Sequence, residues 1–335
     1  TGTYSRLWQD ESMQPAMQRY LAFLSHGLNR KSHWFRNNLT YDHRWQKERA
    51  NEEAHARAML GLGLTVKSAP EEAVRNMATS LFIEALPPVR GFKSPKALAY
   101  AIIGLHSYLE VYGGDAAARR LRGNLSQKLM ALFDKNSEDD WPWCADAVTG
   151  HAACIPHALL LAGQWIPDAD MFETGMKALR WLLEIQTSDE GHLRPVGNSN
   201  WYRRGEECSN FDQLPADVAS LTAACAHAYR ATQDENWLHE TQRCFAWFTG
   251  RNDLQAPLYD FKTGGCRDGL QPQGPNDDQG AEATLSWLSA LITMFDIVGQ
   301  DNLVKVAREE TPLQTMTEEA DDDEQSPVTS AASRN

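Results

Sequence analysis

Asp168-Ala-Asp-Met-Phe-Glu-Thr-Gly-Met-Lys-Ala-Leu-Arg-Trp-Leu-Leu-Glu-Ile-Gln186 is the stretch from which the fold can be read. Met176, Leu179, Leu182 and Leu183 recur at spacings of three and four, which lays one apolar stripe along an α-helix. Asp168 and Asp170 supply a cap and a first-turn acid, the usual signature of a helix start. A polar loop, 188–211, then leads into a second helical pattern at 212–232. There Ala216, Ala219, Leu221, Ala223 and Ala224 point to close helix–helix packing through small residues.

The same alternation runs along the whole chain. Helical periodicity places helices at 13–28, 50–63, 70–86, 95–112, 115–133, 151–163, 169–187, 212–232, 234–249 and 279–298, with a further one at 301–309. Ser68-Ala-Pro70 and Ser94-Pro95 mark two more starts. No convincing alternating strand pattern occurs. Short connections alternate with long ones at 29–49, 134–150, 188–211 and 250–278. Hairpins repeating around a ring would bring every long loop to one rim, so the expected architecture is all-α, an (α/α)6-type toroid of helical hairpins. An open solenoid would need a sequence period, and none is found. Residues 1–310 are expected to form a single toroid domain.

Residues 311–335 hold six acids (Glu318, Glu319, Asp321, Asp322, Asp323, Glu324) against Arg334 and read as a disordered acidic tail. The chain has a formal net charge of -13, which argues against a nucleic-acid groove or an anionic membrane surface. No run of roughly 18 apolar residues suggests a membrane span. The six cysteines form no C-x-x-C pair, and no spacing suggests a metal site. No metal or cofactor is therefore expected, and a reducing cytoplasm is the simplest compartment.

The long loops carry the candidate chemistry. The loop 29–49 is rich in aromatics, including Trp45, and runs into Glu53, His55 and Arg57 at a helix start. The next holds Trp141, Trp143 and Asp146. The third holds His192 and Trp201 and ends at Asp212, which reads as a helix cap or a catalytic carboxylate. The fourth, 263–284, concentrates Arg267, Asp268, Asn276, Asp277, Asp278, Gln279 and Glu282 around three glycines. Any one of these residues has a structural explanation. Four such loops together point to a ligand rich in hydroxyl groups.

These residues also resemble a family of bacterial α/α-toroid proteins found beside, or fused to, glycosyltransferases, often near mannoside phosphorylases. The resemblance runs over about residues 34–298. It rests on Tyr41, Asp42 and Trp45; on His55, Arg57, Leu62 and Gly63; on Trp141 and Trp143; and most specifically on Thr263–Leu270, Asn276 and Gln279–Glu282. It implies a glycan-processing protein with a glycosyltransferase as a partner. The chain departs from the pattern at Ala145, where the family has a Glu followed here by Asp146, at Glu53 in place of Asp, and at Ala56 in place of Gly.

The leading expectation is a glycosidase-type enzyme acting on an oligosaccharide. Glycoside hydrolysis needs one carboxyl group to protonate the leaving oxygen and another to activate water or attack. The candidates are Glu53, Asp146, Asp212, Asp268 and Glu282. Trp45, Trp143 and Trp201 would stack on sugar faces, and His55, Arg57, Arg267, Asn276 and Gln279 would bind hydroxyls. Two alternatives remain: a catalytically silent glycan-binding domain, suggested by Ala145, and a sugar isomerase or epimerase using His55, His151 or His192.

Overall fold

The computed structural model describes residues 2–8, 10–46, 51–166 and 168–309. Among them run eleven α-helices: α1 (Gly2–Trp8), α2 (Gln14–Gly27), α3 (Glu52–Ser68), α4 (Glu72–Ala85), α5 (Pro95–Val111), α6 (Ala116–Asn136), α7 (Cys154–Gly163), α8 (Ala169–Glu184), α9 (Pro215–Thr232), α10 (Glu235–Ala246) and α11 (Ala281–Glu309). The only strands among the described residues are two-residue pairs. β1 (Ala147–Val148) joins β2 (Tyr202–Arg203), and β3 (Leu270–Gln271) joins β4 (Gly274–Pro275), both antiparallel.

Each odd-numbered helix from α3 to α7 packs against its successor and against the next odd-numbered helix, and α9 packs against α10. The odd helices therefore form an inner ring and the even ones an outer layer. Ion pairs from α3 and α9 to α11, Arg57–Glu282 and Arg230–Asp296, tie the last inner helix to the ring. The result is an all-α toroid. Local signals explain the starts: Asn51, Ser94, Asp115, Asp168 and Asp234 each accept a first-turn backbone N–H.

The inner ring packs tightest where α3 crosses α5. A Cβ on Gly63 would strike the Gly104 carbonyl, and one on Gly104 would lie 2.8 Å from the Met59 oxygen. Only glycine lets the two backbones meet this closely. Around the crossing, Met59, Leu62, Leu98 and Ile102 are fully buried.

Four expectations need correction. α1 carries no strong periodicity and is missed. α11 is one continuous helix, not two, although Gly299 lies within it. Asp212 does not cap α9: the cap position is Leu214, and Pro215 opens the helix. By length and composition Ala281–Gly299 could cross a bilayer, with mean hydropathy 1.3, which a search for an unbroken apolar run overlooks. In the toroid this segment buries Ala283, Trp287, Ala290 and Ile297 and pairs Glu282 and Asp296 with arginines, as an inner-ring helix would. The compact unit ends at Ile297, and Val298–Asn335 form a second unit, described only as the end of α11. The acidic stretch 311–335 lies outside the described residues.

Candidate active site at the inner-helix rim

Every inner helix from α3 to α11 begins where a connection from the outer layer arrives, so the long loops gather at the rim of inner-helix N-termini. Three of them are bonded together there. β1 and β2 pair the α6–α7 loop with the α8–α9 loop. Gln213 bridges to Leu270 in the α10–α11 loop. Its side-chain amide donates to Asp253 at 2.5 Å and its carbonyl accepts from Trp247 at 2.7 Å. Asp253 also accepts from His192 at 2.9 Å and from Arg194 at 2.7 Å. Burial pushes the Asp253 carboxyl up, but the bonds from His192, Arg194 and Gln213 outweigh it and hold its pKa below the ordinary value.

Inside this rim one polar circuit links all five inner helices from α3 to α11. Glu53 accepts from Ser94 Oγ at 2.9 Å and lies 3.8 Å from Lys96 Nζ. Lys96 donates to Thr149 Oγ1 at 3.1 Å and to the Gly150 carbonyl at 3.3 Å. The His151 backbone N–H donates to Asp217 Oδ1. The His151 ring Nε2 sits 3.5 Å from Glu282 Oε1, and Arg57 Nη1 lies at the same distance from that oxygen. Arg57 belongs to α3 and so returns the circuit there, and its guanidinium lies over the Tyr100 ring of α5 at 5.4 Å.

Asp217 stands apart from the other acids. Only 8 % of it is exposed, and its Oδ2 is buried with no hydrogen-bond partner among the described residues. Burial raises its pKa to about 6, against the opposing pull of the His151 N–H and the Lys96 charge. His151 shifts the other way, to about 4, through burial first and then the nearby Arg57 charge, with Glu282 opposing both. Asp217 also lines a small open cavity, together with Thr149, Gln186, Trp201 and the apolar Leu182 and Leu221.

Two residues that shape the site adopt left-handed backbone conformations, His151 at φ 58° and Trp201 at φ 59°. Such a conformation in a bulky residue costs about 1–3 kcal/mol and persists where the surroundings enforce it. At His151 it turns the N–H onto Asp217 while the ring reaches Glu282. Gly150 leaves room for the Trp201 ring, which would lie 3.1 Å from a Cβ placed there.

Of the residues singled out in the sequence, the structure brings Glu53, Arg57, His151, Trp201 and Glu282 to this circuit or its cavity. The others have different places. His55 is fully buried: its Nδ1 accepts from Phe35 N–H at 3.1 Å and its Nε2 donates to the Ala85 carbonyl at 2.9 Å. Burial lowers its pKa to about 4, so it is a neutral core tie. Trp143 is 1 % exposed and Trp141 also lies in the core, each indole bonded to a carbonyl four residues on. Neither offers a face to a sugar. Trp45 packs against Phe23, His26 and Arg36 near α2. Asp146 is exposed, and Asp212 contributes a backbone carbonyl to Asn198.

The 263–284 segment largely braces itself. Gln279 accepts from Thr263 and donates to Asp260. Arg267 donates to the Asp277 carbonyl at 2.7 Å. Asn276 receives the Asp278 N–H at 2.8 Å, and Asp268 receives the Gly280 N–H at the entry to α11. These side chains set the angle at which Glu282 enters the rim. Sequence reasoning missed Lys96, Tyr100 and above all Asp217. The one signal for Asp217 was an acid in the first turn after Leu214-Pro215-Ala216, on a helix otherwise built of alanine and other small or apolar residues.

No protein-family model and no curated protein sequence matches this chain. Solved structures do match its shape. A cellobiose 2-epimerase from Bacillus thermoamylovorans B4167 aligns with a TM-score of 0.63 at 13 % identity, covering 89 % of this chain and 84 % of its own. An unsaturated glucuronyl hydrolase specific for heparin aligns at 0.57 and 12 % identity, covering 89 % and 97 %. The GH76A α-1,6-mannanase from Salegentibacter sp. HEL1_6 aligns at 0.53 and 12 % identity, covering 84 % and 97 %. The fold is the (α/α)6 toroid. At such low identity the likeness extends to the fold alone.

Proposed function

We propose that this protein is a carbohydrate-active enzyme that cleaves a glycosidic bond by acid–base chemistry, with Asp217 as the general acid and Glu282 as the second carboxylate. The observation that carries this reading is the Asp217 carboxyl group. One oxygen is fixed by the His151 N–H, and the other is unpartnered beside a cavity. A pKa of about 6 keeps a proton on that group in mildly acidic solution, as donation to a leaving glycosidic oxygen requires. Glu282, with 69 % of its side chain exposed, is open to water or to a sugar carbon. His151 and Arg57 hold it in place.

The space beside Asp217 admits little more than a water molecule, so a sugar would lie across the rim above it, with Trp201 as an aromatic neighbour. Lys96, bonded to Thr149 and Gly150 beside Glu53, is placed to meet a hydroxyl group. A glycosyltransferase partner rests on the sequence resemblance alone.

His151 favours a second reading. Its neutral imidazole lies at the rim beside Glu282 and is able to accept a proton from a sugar carbon, the chemistry of an epimerase or isomerase. One assay separates the possibilities. The protein is incubated with α- and β-linked manno- and gluco-oligosaccharides, and the products are followed by reducing-end assay and NMR. Hydrolysis gives new reducing ends that disappear in Asp217→Asn and Glu282→Gln. Epimerisation changes the terminal sugar without new ends. Binding without turnover, unchanged in both variants, would leave only a glycan-binding domain.

A further inference from the structure

The opposite half of the inner ring carries a constellation that the rim chemistry does not use. α7 has ten residues, against 17 in α5 and 18 in α9. Three imidazoles gather around it, one from each of these helices: His106 of α5, His157 of α7 and His227 of α9. The rings of His157 and His227 lie 5.3 Å apart between centroids, tilted by 39°. His227 Nε2 meets Gln164 Oε1 at 3.1 Å, just beyond the end of α7. The His106 ring lies 6.2 Å from Trp165 in the same turn.

Hydrogen bonding fixes which nitrogens carry protons. Arg122 Nη1 lies 3.4 Å from His106 Nδ1, and an arginine only donates, so the His106 proton sits on Nε2, which is left without a partner among the described residues. Gln164 accepts from His227 Nε2. The His157 ring has no hydrogen-bond partner among the described residues.

The charges around the cluster are unbalanced. Lys67 is paired with Glu110 at 2.7 Å and Arg230 with Asp296 at 2.5 Å. Arg122 is buried, its Nε is unpartnered, and no carboxylate pairs with it among the described residues. Arg119 adds a further positive charge beside it. Burial comes first for all three; Arg122 and Lys67 add to it at His106, and the neighbouring imidazoles and then Arg230 at His227 and His157, so that His106 falls to about 4, His227 to about 3 and His157 well below its ordinary value. Near the end of α7 the Ala162 carbonyl is already taken, by the Trp165 and Ile166 N–H groups. The described residues contain no group of three or more His, Cys, Asp or Glu suited to a metal ion.

The geometry points to a binding site for a small doubly charged oxyanion, a sulfate or a phosphate group, held by the imidazole N–H groups of His106, His157 and His227 with Arg122 behind His106. The anion supplies the missing counter-charge. Solvent protons taken up by His157 and His227 on binding turn each into a charged donor, so affinity rises as pH falls.

Calorimetric titration of the purified chain with sodium sulfate tests this, because sulfate does not itself titrate near neutrality. Measurements at about pH 6 and about pH 8, in two buffers of different ionisation enthalpy, should give one sulfate per chain, net proton uptake, and at least about tenfold tighter binding at the lower pH. His157→Ala and His227→Ala should each weaken binding at least about tenfold. Asp217→Asn, at the far rim, should leave it unchanged, and circular dichroism confirms that each variant is folded. Inorganic phosphate and methyl phosphate then divide the source: equal affinity means the site takes a phosphate on a larger molecule, and preference for the free ion means it takes the ion itself. No saturable sulfate binding at about pH 6, or binding that survives both histidine substitutions, overturns the proposal.

Discussion

Asp217→Asn should make this protein more stable and less active, and the stability gain should depend on pH. In the native state the Asp217 pKa is about 6, against an ordinary 3.8. At about 1.4 kcal/mol per tenfold change in acidity, that difference is about 3 kcal/mol. Its sign follows from proton binding. Between pH 3.8 and about 6 the folded chain holds a proton that the unfolded chain has lost, so stability falls as pH rises through that window. Above it the folded state carries the full penalty of a buried carboxylate. The asparagine is close to the same shape, its carbonyl can still accept the His151 N–H, and it carries no charge. Equilibrium urea unfolding should therefore find the variant up to about 3 kcal/mol more stable at pH 8, with the difference vanishing near pH 4. The His151 titration is common to both proteins and largely cancels. A variant that is less stable at pH 8, or a difference that stays flat from pH 4 to pH 8, would refute the reasoning. It would show that Asp217 is ionised and well solvated in the folded protein. In a turnover assay the same substitution should cost about 10²–10⁴-fold if Asp217 is the acid.

Further expectations follow from other contacts. Gly63→Ala drives a methyl group into the Gly104 carbonyl at the α3–α5 crossing; urea unfolding should show a loss of about 1–3 kcal/mol or more. His55→Ala leaves the Phe35 N–H and the Ala85 carbonyl without their buried partner. It should destabilise by about 2–4 kcal/mol, without the pH-dependent gain expected of Asp217→Asn. Trp201→Ala should raise KM for an oligosaccharide more than it lowers kcat, because Trp201 lines the cavity but carries no acid or base.

The fold was legible because toroid helices must bury one stripe, and that stripe survives in the sequence. The predicted helices at 95–112 and 169–187 correspond to α5 and α8 within a few residues. Alternation of short and long connections was enough to bring the long loops to one rim. The candidate site was harder to read. A loop rich in Asp, Asn, Gln and Arg looks the same whether its side chains face a ligand or one another. Arg267, Asp268, Asn276 and Gln279 mostly face one another, and their order along the chain does not reveal it. Asp217 failed in the opposite direction. It looks like an ordinary first-turn acid, and what singles it out is the burial of its Oδ2, which depends on residues far away in the sequence. Glu282 meets Arg57 and His151 across still longer separations along the chain.

The rim also sets two physical effects against each other. An acid in the first turn of a helix faces the positive end of the helix dipole, worth about 0.3–1 kcal/mol when exposed and up to about 2 when partly buried. Glu53, Asp217 and Glu282 all occupy that position. The dipole favours the charged form of an acid placed there. Asp217 nevertheless rises to about 6, because its burial costs more than the dipole, the His151 N–H and the Lys96 charge return. Glu282 keeps most of its surface in water. The same helix position thus yields two different carboxyl groups, one held protonated by burial and one left open to solvent, with His151 between them. That division of roles is what a single acid–base reaction requires, and in this fold it arises from how deeply each inner helix sets its first turn below the rim.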